Sequence, residues 1–269
     1  MAARRICGDL EPDPVSLAPR TRKAPHTVSA RTYENITFSD PNPVKRWIHR
    51  SRLTRAIALV ESFPEPRSIM DFGAGNGELC KRLASRYPHA KTICYEPIPA
   101  QLVEARQNLA NVRGVSFLSD MDGVEAGSLD LIFCLEVFEH LPPAEMQGAF
   151  SDLKRVLAKD GHLVVGVPVE IGVPALYKGV FRMMRRYGEF DATARNVAAC
   201  VIGRPPDRPV HKFDDRHGFY YHHTGFDHRR FLSSLRAVFD VCSMSASPFP
   251  RLGVLNPELY AVAKRKKIG

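Results

Sequence analysis

Two short stretches of this 269-residue chain carry residue types whose spacing implies chemistry. The first is Asp71-Phe72-Gly73-Ala74-Gly75-Asn76-Gly77-Glu78, directly after the apolar Ser68-Ile69-Met70. An acid closes a strand, and glycines at alternate positions then let the backbone turn tightly where a ligand comes close. A dinucleotide turn would read G-x-G-x-x-G, whereas here Glu78 stands where the third glycine belongs. A pyrophosphate favours an electropositive turn, while Asp71 and Glu78 suit a ligand bearing an ammonium group and a sulfonium. The second stretch is Glu136-Val137-Phe138-Glu139-His140. On a helical turn, positions i, i+3 and i+4 share a face, so Glu136, Glu139 and His140 are expected to converge. Two carboxylates and an imidazole can move a proton or hold a divalent cation.

The elements that must position these residues alternate along the chain. RSIMDF, TICYE, VSFL, LDLIFCL and GHLVVGV are short apolar runs separated by helix-length segments, including a helix from Ala100 to Leu109 and another around Phe150, Leu153 and Leu157. Parallel strands with covering helices produce this rhythm, so the fold class is α/β with a doubly wound sheet. A helix between Pro43 and Phe63 is expected to pack on the first strand. The rhythm breaks after Pro168, and about 169–220 reads as an inserted cap. Within it Leu176, Val180, Phe181, Met183, Met184 and Tyr187 alternate with Lys178, Arg182, Arg185 and Arg186, the pattern of a basic amphipathic helix. It suits a lid with a wet face, or a helix lying over an apolar acceptor or a membrane surface. A helix near His228 to Val238 and strands at FDVCSM and ELYAVAK complete one domain over 33–269, preceded by a mobile arm over 1–32.

Asp-x-Gly-x-Gly-x-Gly after a hydrophobic strand resembles motif I of the class I S-adenosylmethionine-dependent methyltransferases, and its companions follow in order over roughly residues 66–168. The resemblance implies a Rossmann-like seven-stranded sheet, its last strand antiparallel, with the cap inserted after strand five. It implies S-adenosylmethionine as the cofactor, held by Asp71, Gly73, Gly75, Gly77, Glu96, Pro97, Asp120, Met121 and Glu136. Glu96 would accept from the ribose hydroxyls, as the acid about 20 residues after a Rossmann turn does. Asp120 would meet the adenine amino group, with Met121 against the ring and Glu136 near the donor's methionine part.

Methyl transfer from a sulfonium is an in-line displacement, so the enzyme chiefly holds the acceptor and excludes water. His140, Glu136 and His222 are the catalytic candidates, His140 as general base. Glu-x-x-Glu-His resembles two branches of the superfamily, the ubiquinone-pathway O-methyltransferases and the small-RNA 3′-terminal 2′-O-methyltransferases. Matching residues there are associated with a divalent metal, so Glu136, Glu139 and His140 are candidate ligands for Mg²⁺ or Mn²⁺, the less favoured alternative to a metal-free base. The RNA branch supplies a further histidine, for which His222, four residues before Phe226, is the nearest match and His211 a rival. Tyr220, Tyr221, His222 and His223 are expected near the same mouth.

Composition narrows the acceptor. The formal charge is +9, but residues 1–60 carry +6 and residues 261–269 carry +4, leaving −1 on the body. RNA affinity rests largely on phosphate neutralisation, which this body does not offer. A small-molecule, lipid or glycan acceptor methylated on oxygen is therefore the first expectation. An RNA 2′-O-methyltransferase with a metal-assisted site is the second, and a non-catalytic S-adenosylmethionine-binding module the third. The six cysteines are scattered without metal-type spacing, and Cys80, Cys94 and Cys134 lie in apolar runs as buried free thiols would. With no membrane-spanning run and no signal-peptide pattern, the expected location is cytoplasmic, peripheral membrane contact aside.

Overall fold

A computed structural model describes residues 43–212 and 218–266, with side chains from Arg50 onward. The arm expected over 1–32 lies outside the described residues. Helix α1 (Pro43–Ala58) leads into β1 (Ser68–Phe72), α2 (Glu78–Arg86), β2 (Lys91–Tyr95), α3 (Pro99–Asn108), β3 (Val115–Leu118) and β4 (Leu129–Leu135). A 3-10 turn (Phe138–His140), α4 (Pro143–Val156) and β5 (Leu157–Pro168) follow.

Next come α5 (Val173–Arg186), a 3-10 turn (Phe190–Ala192), α6 (Ala194–Val201) and the hairpin strands β6 (Val210–Lys212) and β7 (Gly218–Tyr220). The cap region therefore carries regular structure of its own. Helix α7 (His228–Val238), β8 (Phe239–Ser247), a 3-10 segment (Pro250–Leu255) and β9 (Glu258–Arg265) end the order.

The main sheet runs β3-β2-β1-β4-β5-β9-β8, and β9 lies antiparallel to both neighbours. Alternating side chains explain why its central strands read as continuous apolar runs. Ile69, Leu131, Phe133 and Val164 pack with Leu79 and Leu83 of α2 and Leu53 of α1 on one face. Met70, Ile132, Cys134, Leu163 and Val165 pack with Phe150 and Leu153 of α4 and Phe231 and Leu235 of α7 on the other. A parallel sheet covered on both faces requires apolar residues at every position. Cys80, Cys94 and Cys134 are buried free thiols.

The strand order reverses between β1 and β4, the place where doubly wound sheets open a crevice beyond their carboxyl ends. Both chemically suggestive stretches leave the sheet there.

Candidate active site

The glycine turn is built by backbone geometry. Gly73, Gly75 and Gly77 have φ of 78°, 55° and 80°, a region open to glycine at little cost. Two of them also lack room for a side chain. A Cβ on Gly73 would lie 2.5 Å from Cγ2 of Val137, and one on Gly77 would lie 2.6 Å from Cδ1 of Leu109. The N–H groups of Gly73 and Ala74 both donate to the Tyr95 carbonyl at 2.9 Å, which locks the turn to the end of β2.

Glu96 continues that lock. Its carboxylate accepts from Gly75 N–H at 2.8 Å and Ile98 N–H at 2.9 Å, and the residue is buried. Burial raises its pKa while the two amide donors hold it down. Asp71 is buried below the turn, and Cys80 Sγ lies 3.6 Å from its Oδ2. Burial lifts the Asp71 pKa to about 7, the Cys80 contact opposing and Glu96 adding to the shift. Asp120 is exposed at the end of β3, with Oδ1 accepting from Asp122 N–H at 3.2 Å, while the neighbouring Met121 is buried and Pro97 exposed. The sequence-derived donor residues thus share the carboxyl edge of β1, β2 and β3.

The exit of β4 differs from its expected geometry. Glu136 has φ 57°, the one positive value on a non-glycine among the described residues, so the helical spacing does not begin there. Its Oε2 lies 3.1 Å from Nη1 of Arg52, whose Nη2 donates to Oε1 of Glu258 at 2.6 Å. Burial raises the Glu136 pKa well above the carboxylate range, while Arg52 and Lys178 outweigh burial at Glu258 and hold it low. Glu136 therefore belongs to a buried arginine–carboxylate group bridging α1, β4 and β9. It does not converge with Glu139 and His140.

The residue that joins Glu139 and His140 is His223, and ligand atoms of these three lie within 4.8 Å of one another. His140 Nδ1 is 2.8 Å from the Tyr220 carbonyl, which can only accept, so Nδ1 carries the hydrogen and Nε2 a lone pair. That Nε2 lies 3.2 Å from Nε2 of His223 and 4.0 Å from Oε1 of Glu139. Glu139 is fully buried, and neither of its oxygens has a hydrogen-bond partner. Burial raises its pKa against the pull of His140, and burial, then His140, lowers that of His223 well below the imidazole range.

His222, the histidine favoured on spacing, turns the other way. Its Nδ1 sits 3.6 Å from Asp191, and its ring packs on Phe190. His211 is exposed on the hairpin against Phe219.

Sequence reasoning also missed the groups that hold this corner. Buried Glu170, just past β5, binds Lys178 Nζ at 2.9 Å and Arg182 Nη1 at 2.8 Å. Those cations outweigh burial and keep its carboxyl well below the usual range. Arg182 also donates to Thr224 Oγ1 at 2.6 Å, next to His223, and Arg208 donates to the Glu139 carbonyl while its guanidinium covers the Tyr220 ring at 3.7 Å. The available signals were an acid ending the apolar strand-five run, at Glu170, and an acid opening the last strand, at Glu258.

A malonyl-[acyl-carrier protein] O-methyltransferase of Geobacter sulfurreducens is 29% identical over 204 residues, 71% of each chain. A trans-aconitate 2-methyltransferase of an Acidovorax species is 34% identical over 115 residues, 42% of this chain and 43% of that one. The solved N-methyltransferase NodS of Bradyrhizobium japonicum, bound to S-adenosyl-L-homocysteine, shares the fold with a TM-score of 0.52 at 17% identity, over 85% of this chain and 90% of its own. A family model described as a methyltransferase domain matches residues 45–193, over half the chain, from the helix before the glycine turn into the cap. The chain belongs to that family and is a class I S-adenosylmethionine-dependent methyltransferase.

Proposed function

We propose that this methyltransferase acts on an oxygen of a small-molecule, lipid or glycan acceptor, with His140 as general base. The observation that carries the proposal is the oriented imidazole at the exit of β4. The Tyr220 carbonyl fixes its Nδ1–H and leaves the Nε2 lone pair to take a proton, on a side chain still 35% accessible. In this reading Glu96 accepts from the donor's ribose hydroxyls, Asp120 from its adenine amino group over Met121, and Asp71 faces its ammonium. The Gly73–Gly77 backbone seats the methionine part. Glu136 acts indirectly, because its bond to Arg52 fixes the chain between β4 and His140. The O-methyltransferase named among the relatives supports oxygen as the acceptor atom.

A second reading rests on the two unpartnered oxygens of Glu139. A buried carboxylate without partners is costly, and a cation held with His140 Nε2 and His223 Nε2 would offset that cost. One carboxylate and two imidazoles fit a divalent cation, and they suit Mn²⁺ better than Mg²⁺. Such an ion would supply positive charge that lowers the pKa of an acceptor hydroxyl. The chain's part would be to orient those ligands through Tyr220 and Thr224.

Turnover of donor to S-adenosylhomocysteine with hydroxyl and carboxyl acceptors tests both. The base proposal expects His140→Ala to lower kcat by about 10²- to 10⁴-fold with donor affinity unchanged, and EDTA to have no effect. Loss of activity with EDTA and recovery with Mn²⁺ would transfer support to the cation. Full activity of the His140→Ala enzyme would refute both.

A further inference from the structure

Helix α5 turns its apolar side outward. Its period groups Val173, Leu176, Tyr177, Val180, Phe181 and Met184 on one side, and each of these is between 42% and 82% exposed. The opposite side carries Lys178 and Arg182, which reach inward to buried Glu170. A helix that covers a core normally does the reverse. Here the buried ion pairs anchor the helix, and its apolar side chains gain nothing from the domain beneath.

The same surface continues onto the 3-10 segment Pro250–Leu255. The Tyr177 hydroxyl donates to the Leu255 carbonyl at 3.1 Å, and Leu252 and Val254 are 50% and 81% exposed. Apolar side chains scattered singly over a surface are ordinary, but a patch built from two joined segments marks an interaction site.

Charge identifies the occupant. Neither segment contains an Asp or Glu, while Arg185 and Arg251 are both exposed. Arg185 lies over the Phe181 ring, 5.3 Å from its centroid. A second copy docked through the same patch would bring arginine to arginine with no carboxylate from either segment to separate them. An anionic bilayer accepts apolar side chains at the headgroup boundary and pairs with the flanking cations. We propose that α5 and residues 250–255 form a membrane-docking face that seats this methyltransferase on an anionic lipid surface. The proposal is independent of which atom is methylated.

Co-sedimentation of the full chain with phosphatidylcholine vesicles, with and without about 30% phosphatidylglycerol, tests it. Because the chain ends are basic, binding by the wild type alone decides nothing, and the comparison with surface variants carries the result. Met184→Asp and Leu252→Asp should each lower partition to the anionic vesicles by roughly tenfold, with circular dichroism and donor affinity unchanged. Arg185→Glu should weaken binding and flatten its salt dependence. Partition of both aspartate variants within twofold of wild type would overturn the proposal. So would a lipid-free dimer that Met184→Asp converts to monomer in ultracentrifugation, since the patch would then cover a second copy.

Discussion

Raising the pH from about 6 to about 8 should tighten S-adenosylmethionine binding about tenfold, and Asp71→Asn should remove most of that dependence. The prediction starts from burial. Asp71 lies below the glycine turn, where desolvation lifts its pKa to about 7 from an ordinary 3.8. A donor ammonium placed over it favours the charged carboxylate and returns the pKa toward its ordinary range. Binding must then expel whatever proton the free protein holds. At pH 6 about nine-tenths of the free protein is protonated at Asp71, and at pH 8 about one-tenth. The penalty at pH 6 is therefore a factor of about ten, or about 1.4 kcal/mol, which vanishes by pH 8. Calorimetry in two buffers of different ionisation heat reads both affinity and proton release, expected to be about 0.9 per donor at pH 6. Glu96 is also shifted upward, so the asparagine variant is needed to separate the two acids. An affinity constant within twofold across this range, or an undiminished slope in Asp71→Asn, would refute the assignment of Asp71 to the donor's ammonium.

Two further outcomes follow from packing. Gly77→Ala places a Cβ 2.6 Å from Leu109 at a φ of 80°, and should cost about 1–3 kcal/mol of unfolding free energy in urea titration while weakening donor binding. Arg52→Ala leaves Glu136 and Glu258 buried without their guanidinium, and should cost about 3 kcal/mol, part of which Arg52→Ala/Glu258→Gln should recover in the same measurement.

The donor side was legible in the sequence because its determinants are local. A strand, an acid and alternate glycines sit within ten residues, and the second acid closes the next strand. The acceptor side depends on geometry that spacing does not encode. The i, i+3, i+4 expectation for Glu136, Glu139 and His140 assumed helical backbone from the first of them. The positive φ at Glu136 sends its side chain toward Arg52, 84 positions earlier, and only then does a short 3-10 turn carry the other two. His222 and His223 are adjacent in an irregular segment, so their side chains point apart, and spacing to Phe226 could not choose between Asp191 and His140 as the destination.

Helix α5 shows why amphipathicity alone was ambiguous. Its sequence fixes how apolar and basic side chains are segregated around the axis, but only the partner beneath decides which side is buried. Here the partner is Glu170, a carboxylate that cannot remain buried without cations, and Lys178 and Arg182 are drawn inward to it. Gly179 permits the close approach this requires, since a Cβ there would lie 2.4 Å from the Val197 side chain. One buried acid thus orients the helix, positions Arg182 to hold Thr224 beside His223, and leaves the apolar face outside. The acceptor corner and the exposed face are coupled through that acid, so a surface that draws on α5 from outside acts on the same helix that holds His223 from within.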